Sequence, residues 1–255
     1  MGKKSLRVYA QPKYYEIAFG YRDISKEVDC FEKAIEKYSN VTVHNVLEMA
    51  CGTSPYLEEW NRRGYRYAGL DQSGEMLAYV RKKARAEEIQ AKLYRADMIE
   101  FSLPGYRADL AYVLLGSLFA TSNAQFLQHL DSVSKVLRSG ALYLLQGVIW
   151  FNILSDNRQQ WTITRDRIRI RVSFRAEVVD PVAQTFHDRL IMEVNDAGER
   201  KLLTATDLHK FFFPQEFLAL VQLHGKFKFL GWFDGFDLKK PVAAKGLQTV
   251  VLRKR

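Results

Sequence analysis

The sequence predicts an α/β protein: a seven-stranded, mostly parallel sheet with helices on both faces, carrying an antiparallel β insertion after the fifth strand. Three observations carry this. Short apolar runs alternate with helical stretches from residue 44 to residue 150, the pattern of right-handed crossovers and a parallel sheet. After Trp150 the hydrophobic period becomes two, as in an antiparallel strand with one covered face. One more helical stretch and two more apolar runs follow the insertion.

In order, residues 12–38 read as one or two amphipathic helices, because Tyr14, Tyr15, Ile17 and Ala18, then Val28, Phe31 and Ile35, recur near helical spacing. HNVLEM is the first strand, with a turn over 51–55 and a helical stretch to Arg63. RYAGLD is the second strand, followed by a helix over 73–85; AKLYRAD is the third, and ADLAYVLL, from Ala108, the fourth. Residues 123–137 read as a helix ended by Ser139-Gly140, where a C-cap glycine is favoured. ALYLLQGV is the fifth strand. In the insertion, residues 161–175 read as one strand, with Ile168, Ile170, Val172 and Phe174 on one side and Arg167, Arg169 and Arg171 on the other. AQTFHDRLIMEV and KLLTATDLHKFFF are its partners, joined by a turn over 195–198. A helix starts near Pro214 and stops at Gly225, and KFKFLGWF and LQTVVLRK are the last two strands.

At 255 residues the chain can bury one substantial core. Hydrophobic residues at 47% and charged residues at 26% exclude a disordered chain. No stretch approaches the ~20 apolar residues of a membrane-spanning helix. The basic start MGKKSLRVYA has no apolar run behind it, so no secretory signal is expected. Cys30 and Cys51 are too few for a disulfide framework or a metal cluster, which makes the cytoplasm the expected compartment and leaves no metal site to expect. The net charge of +9 raises the local concentration of anions without choosing among phosphorylated small molecules, membranes and nucleic acid.

The turn after the first strand carries the chemistry. Gly52 lets backbone approach a ligand closely. Asp71 lies 23 residues beyond Glu48, at the carboxyl end of the second strand, near the ~20-residue offset at which an acid accepts hydrogen bonds from ribose hydroxyls. A bare Cys-Gly-Thr is otherwise only a tight turn; the acid in register makes it a nucleoside cofactor site. A phosphate ligand fits poorly, since there is no GxGxxG and Glu48 would oppose a pyrophosphate, whereas it suits a cationic amino-acid tail.

On these residues the sequence resembles the class I S-adenosylmethionine-dependent methyltransferases. LEMACGTSPY is similar to their first motif, YAGLDQSGEMLAYVRKKA to the ribose-binding acid and following helix, and LYRADMIEF to the segment against the adenine. ADLAYVLLGSLFATS resembles the fourth strand and the loop beneath the cofactor, and VLRSGALYLL the helix-to-strand step before the fifth. More loosely, YYEIAFGYRDISKEVDCF resembles the lid of small-molecule members, amino-sugar N-methyltransferases among them, which also carry an antiparallel insertion. The resemblance implies a Rossmann-like sheet, with segments 1–40 as a helical lid, 41–150 as the cofactor-binding core, 151–212 as an insertion on the acceptor side or for dimerisation, and 213–255 completing the core. It implies S-adenosyl-L-methionine as cofactor. Glu48, Ala50 and Gly52 would hold its methionine end, Asp71 its ribose with Gln72 and Met76 alongside, and Asp97 its adenine amino group between Ala96 and Met98. Leu114, Leu115 and Gly116 would lie near the sulfonium, with Tyr15 and Arg22 closing on the carboxylate from the lid. Position 54 is Ser, followed by Pro55, where the family usually has a second Gly, and position 139 is Ser where Pro is usual. The first departure is expected to narrow the methionine pocket or shift the helix start.

Methyl transfer from an activated sulfonium is driven by positioning and desolvation, and needs a general base only when the nucleophile arrives protonated. No catalytic residue is therefore obvious; the candidates are His209, Gln146 and Tyr15. Gln146 and Trp150 fall at the carboxyl edge of the fifth strand, where open α/β sheets bind ligands, and an indole face suits a cationic amine. His187 and His209 lie in the insertion expected to face the acceptor; against that stands the reading of each as a hydrogen-bonded sheet histidine. His44 and His129 are expected at the surface or as caps. The arginine face at 167, 169, 171 and 175 is either solvated and paired or an anion-binding surface.

The expected activity is methyl transfer to a small-molecule acceptor, nitrogen before oxygen, by a monomer or homodimer that binds no membrane. The segment after the fourth strand reads LLGS and not Asn-Pro-Pro-Tyr, and no RNA-binding signature is present. A nucleic-acid- or protein-directed methyltransferase is thus the alternative but not the favoured reading, and a non-enzymatic cofactor-binding module is a third.

Overall fold

The computed structural model describes residues 6–151, 158–242 and 246–255. Its larger sheet contains β2 (Asn45–Met49), β3 (Arg66–Asp71), β4 (Lys92–Arg95), β5 (Ala108–Val113), β6 (Leu137–Gln146), β11 (Phe227–Asp234) and β12 (Gln248–Lys254). The spatial order is β11-β12-β6-β5-β2-β3-β4. β2 to β6 run parallel, while β12 lies antiparallel to β6 and β11 antiparallel to β12. This is the Rossmann-like arrangement of the class I methyltransferase fold. The chain steps outward from β2 through β3 to β4, then returns to place β5 on the other side of β2. That reversal opens a crevice at the carboxyl ends of β2 and β5.

Strand alternation sorts the core into two layers. Leu47, Met49, Ala111, Val113, Tyr143 and Leu145 pack with α5 (Asn123–Val136) and α6 (Pro214–His224). Val46, Tyr67, Leu110, Tyr112, Leu142 and Leu144 face the opposite way, against α2 (Ile24–Tyr38), α3 (Leu57–Arg62) and α4 (Gly74–Ala86). The helix signals act as local chemistry requires. Asp23, Ser73 and Ser122 cap α2, α4 and α5 with side-chain oxygens, and Gly225 ends α6 in the left-handed conformation.

The insertion forms a second sheet of order β1-β10-β9-β8-β7, from β7 (Arg158–Arg165), β8 (Ile168–Asp180), β9 (Thr185–Asp196), β10 (Glu199–Lys210) and the short β1 (Leu6–Arg7). Its apolar face, Ile168, Ile170, Val172, Leu190, Met192 and Leu203, packs on Val8 and on Tyr14, Ile17 and Ala18 of α1 (Pro12–Ala18).

Three local expectations are corrected. The run 161–175 is not one strand but a hairpin, turning at Asp166-Arg167 with Asp166 at φ 53°. Gly140 does not cap α5. It lies inside β6 at φ 86°, where the ladder to β5 slips and Asn40 donates its N–H to the Gly140 carbonyl at 3.0 Å. A side chain there would meet Asn40 at 3.0 Å, so glycine serves a close chain crossing. Leu6–Arg7, too short to carry a period, is a parallel edge strand on β10.

No helix among the described residues is long and apolar enough to cross a membrane, and no group of three metal-ligating side chains occurs among them.

Candidate active site

Glu48 lies at the carboxyl end of β2 on the face that buries Tyr67 and Tyr112, and is only 5% exposed. The Tyr67 hydroxyl donates to it, as does the Ser54 hydroxyl at 3.2 Å. Burial outweighs these donors and the nearby Arg22 charge, and pushes the Glu48 carboxyl up to about 7. A buried acid held at the edge of ionisation is poised for a cationic partner.

Ser54, one of the two departures from the family pattern, sits in the left-handed region at φ 52°, as glycine would. Its side chain points down onto Glu48 and the Tyr67 hydroxyl. The substitution exchanges backbone ease for a donor on the buried acid. Ala50 (φ 52°) and Gly52 (φ 51°) share that conformation, as do Leu115 (φ 55°) and Gly116 (φ 70°) in the loop after β5. Non-glycine residues at such angles each cost about 1–2 kcal/mol, and three of the seven among the described residues, Ala50, Ser54 and Leu115, border this crevice.

Asp71 ties the turn to the next unit. Its carboxylate accepts the Gly52 N–H and the Ser73 N–H, each at 2.8 Å, and Ser73 caps α4. Burial raises its pKa, while these backbone donors lower it. A cavity of about 490 Å³ opens here, lined by Glu48, Ala50 and Gly52 below, Leu114, Leu115 and Ser117 at the side, and Tyr15, Phe19 and Arg22 above. Such a volume suits a nucleoside-sized ligand's reactive end. Arg22 donates to Glu27 and to the Tyr56 oxygen, and its guanidinium lies 5.1 Å from the Tyr56 ring centre. Burial opposes its charge, yet Tyr56, Glu27 and Glu48 together raise its pKa. The lid cation and the buried acid therefore face one cavity.

The remaining predicted positions lie around this centre. Asp97 is exposed, outside the cavity lining, and accepts the Ile99 N–H at 2.8 Å; Ala96 is half-buried and Met98 buried. Gln72 is exposed, its carbonyl accepting Arg95 Nε, and Met76 is buried in the first turn of α4. Gly116 is held by its N–H to the Gln146 carbonyl at 2.9 Å. The Gln146 side chain itself bonds Thr249 at 3.3 Å and lies outside the cavity lining. Trp150 stacks on Phe211 with ring centres 4.8 Å apart and stands 5.0 Å from Phe186.

His209 is buried on the lid-facing side of β10, opposite Phe186. His187 pairs with Leu208 one step away and so points to the opposite face, because side chains alternate. His129, expected near the surface, is fully buried. Its ring bonds the Met98 carbonyl at 2.7 Å and the Tyr143 hydroxyl, and burial lowers its pKa to about 4. It fixes the loop that carries Asp97. The sequence held the signal: Phe126, His129, Leu130 and Val133 form one helical stripe. Of the arginine face, Arg169, Arg171 and Arg175 are exposed; Arg171 lies opposite Glu193, and Arg175 pairs with Glu177.

Residues 46–140 match a family model described as a methyltransferase domain. The match takes in Glu48, Gly52, Asp71, Asp97 and the loop after β5. A malonyl-[acyl-carrier protein] O-methyltransferase from Pectobacterium atrosepticum is 28% identical over 156 residues, 58% of this chain and 55% of that protein. The chain spans about half the length of the curated relatives it matches. An S-adenosylmethionine-dependent methyltransferase from Clostridium acetobutylicum superposes with a TM-score of 0.77 at 18% identity, covering 94% of this chain and 96% of that one. A sugar N-methyltransferase from Streptoalloteichus gives 0.73 at 17%, covering 100% and 96%. These structures extend the likeness in fold beyond residues 46–140 to the N-terminal helices and the insertion.

Proposed function

We propose that this chain binds S-adenosylmethionine and transfers its methyl group to nitrogen of a small-molecule amine. The observation that carries the reading is a cavity of about 490 Å³ lined by buried Glu48 and by Gly52, whose N–H is held at 2.8 Å by the Asp71 carboxylate just behind the lining. Glu48 beneath the cavity suits the cofactor's ammonium, Arg22 its carboxylate and Asp71 its ribose hydroxyls, while exposed Asp97 is free to meet the adenine amino group. Gly52 leaves a cradle above which the nearest side chain is Tyr15, 3.6 Å from where a Cβ would stand. When bound, the cofactor supplies an electrophilic methyl carbon. The protein's part is to position the acceptor, exclude water and take up the proton a nitrogen nucleophile sheds. Nitrogen is supported by the wall of Trp150 and Phe186, which suits a cation, and by the printed activity of the sugar N-methyltransferase neighbour.

Calorimetric titration with S-adenosylmethionine and S-adenosylhomocysteine tests the cofactor, and transfer of labelled methyl to a panel of amines and alcohols tests the acceptor atom. Micromolar binding that Asp71→Ala weakens by about 100-fold, with label on amines, is the expected result. Failure to bind either compound at high micromolar concentration overturns the proposal.

A further inference from the structure

The lid-facing side of the insertion sheet is apolar from Lys201, which bonds Tyr14 and Glu199, as far as the level of Asp188 and Asp207, and polar again at His209. Along β9 the inward residues are Val194, Met192 and Leu190, then Asp188, then Phe186. Along β10 they are Leu203 and Ala205, then Asp207, then His209. The register places Asp188 directly opposite Asp207, and His209 opposite Phe186. Like charges directly opposite on neighbouring strands are destabilising, and no lysine or arginine among the described residues pairs with either carboxylate. Such a break in an otherwise consistent pattern marks a functional site.

The other groups converge on the same level. His209 is 2% exposed, and its Nε2, 3.7 Å from Asp188 Oδ2, has no hydrogen-bond partner among the described residues. From the lid, the Tyr9 hydroxyl donates to Asp207 Oδ2 at 3.0 Å. The Tyr9 ring lies 6.1 Å from that of Tyr15, which lines the cofactor cavity. Phe119, at 4.3 Å, and Phe186, at 5.1 Å, flank the His209 ring, and Trp150 continues the aromatic wall. β10 is tied to the loop beside the cavity through the Lys210 N–H and the Ala120 carbonyl, 2.7 Å apart.

We propose that Asp188, Asp207 and His209 form the receiving site for the acceptor's amine, binding it as an ammonium and taking the proton that must leave before the nitrogen can attack. Two facing carboxylates lack one cation, an aromatic wall favours the same charge, and an unpartnered imidazole nitrogen stands next to one carboxylate, where it can accept a hydrogen bond from that acid once it is protonated. The balance is simple. The ammonium gives one proton to Asp188, which shares it with His209; the N–H bonding pair becomes the nitrogen lone pair. That pair forms the new nitrogen–carbon bond while the carbon–sulfur pair stays with sulfur. Burial supports this assignment: it holds the Asp188 carboxyl near 7, with the Asp207 charge adding to the shift, and holds the His209 ring neutral to about 4. The titratable groups facing the pair are Tyr9 and Tyr15 from the lid and His209 from β10, and each tyrosine's own pKa is raised by burial.

This inference rests on the nitrogen-methylation reading, and its test separates the two. With S-adenosylhomocysteine bound, cyclohexylamine and cyclohexanol are titrated calorimetrically into wild type, Asp188→Asn and Asp207→Asn. The amine is expected to bind at least tenfold more tightly than the alcohol, and each substitution to remove most of that preference. S-adenosylhomocysteine affinity should stay within twofold, and the thermal midpoint at pH 8 should rise, since the repulsion between two facing carboxylates is relieved. Equal binding of amine and alcohol, an amine affinity unchanged in both variants, or a lowered midpoint in both would overturn the amine site, the last by showing the acids to be structural. Wild type that fails to bind S-adenosylhomocysteine would instead overturn the cofactor reading.

Discussion

Glu48 couples cofactor affinity to pH, and the size of the coupling follows from its burial. Its folded-state pKa of about 7 lies above the ordinary 4.5. Between those values the folded chain holds more protons than the unfolded one, so stability falls as pH rises across that window and stays lower above it. At about 1.4 kcal/mol per pH unit, the ionised acid costs the empty protein roughly 3 kcal/mol at pH 8. An ammonium group pairs only with the ionised form, which makes up roughly one tenth of molecules at pH 6 and nine tenths at pH 8. Affinity for S-adenosylhomocysteine should therefore rise about tenfold from pH 6 to pH 8. Titration calorimetry in two buffers of different ionisation heat reads both the affinity and the protons released, expected near one at pH 6 and near none at pH 8. Glu48→Gln should weaken binding, flatten the profile and raise the thermal midpoint of the empty protein at pH 8. A flat wild-type profile, or an equally steep one in the variant, refutes the reasoning.

Asp71→Ala removes the acceptor of two backbone N–H groups and the ribose contact, and should cut S-adenosylmethionine affinity by about 100-fold, near 2.7 kcal/mol, by calorimetry. Ser54→Gly relieves about 1–2 kcal/mol of left-handed strain but loses a hydrogen bond to a buried acid worth roughly 1.5–3 kcal/mol. Scanning calorimetry should show a small net loss, about 2–4 °C; a clear gain would show that Ser54 does not support Glu48. Gly69→Ala would set its Cβ 2.9 Å from Cys51 Sγ and 3.0 Å from the Tyr67 hydroxyl, overpacking the pocket floor by about 1–3 kcal/mol. The thermal midpoint and cofactor affinity should fall together. Arg169→Ala with Arg171→Ala, on the exposed face, should leave methyl transfer to small amines unchanged; a selective loss with RNA acceptors would revive the nucleic-acid reading.

What was legible in the residues was what depends on period and punctuation. β2 to β6 follow from alternating apolar runs, and α6 from Pro214 and Gly225, because these signals act over a few neighbouring residues. The hairpin at Asp166-Arg167 was hidden because its turn holds no glycine, asparagine or proline, although the apolar positions shift there from odd (Trp161, Ile163) to even (Ile168, Ile170). Gly140 looked like a helix stop because the contact that needs it comes from Asn40, 100 positions earlier. The Gly52 and Asp71 relation was readable as an offset, and the structure supplies its bond. The facing of Asp188 and Asp207 depends on register across two strands, which no local pattern specifies. His129 could have been placed by its stripe, and was missed because residue type was weighed above position.

The two-residue strand Leu6–Arg7 has a mechanical consequence. It pairs with Leu203 and Thr204, and the Tyr9 carbonyl three residues on accepts the Ser73 hydroxyl at 3.2 Å, beside the cap of α4. One short stretch of backbone is thus stitched at one end to the acceptor wall and at the other to the ribose-binding turn. The lid cannot swing as a free flap. On the proposed function, lifting it to release spent cofactor would also disturb the sheet that carries Asp188 and Asp207, so that the two products would leave in one motion.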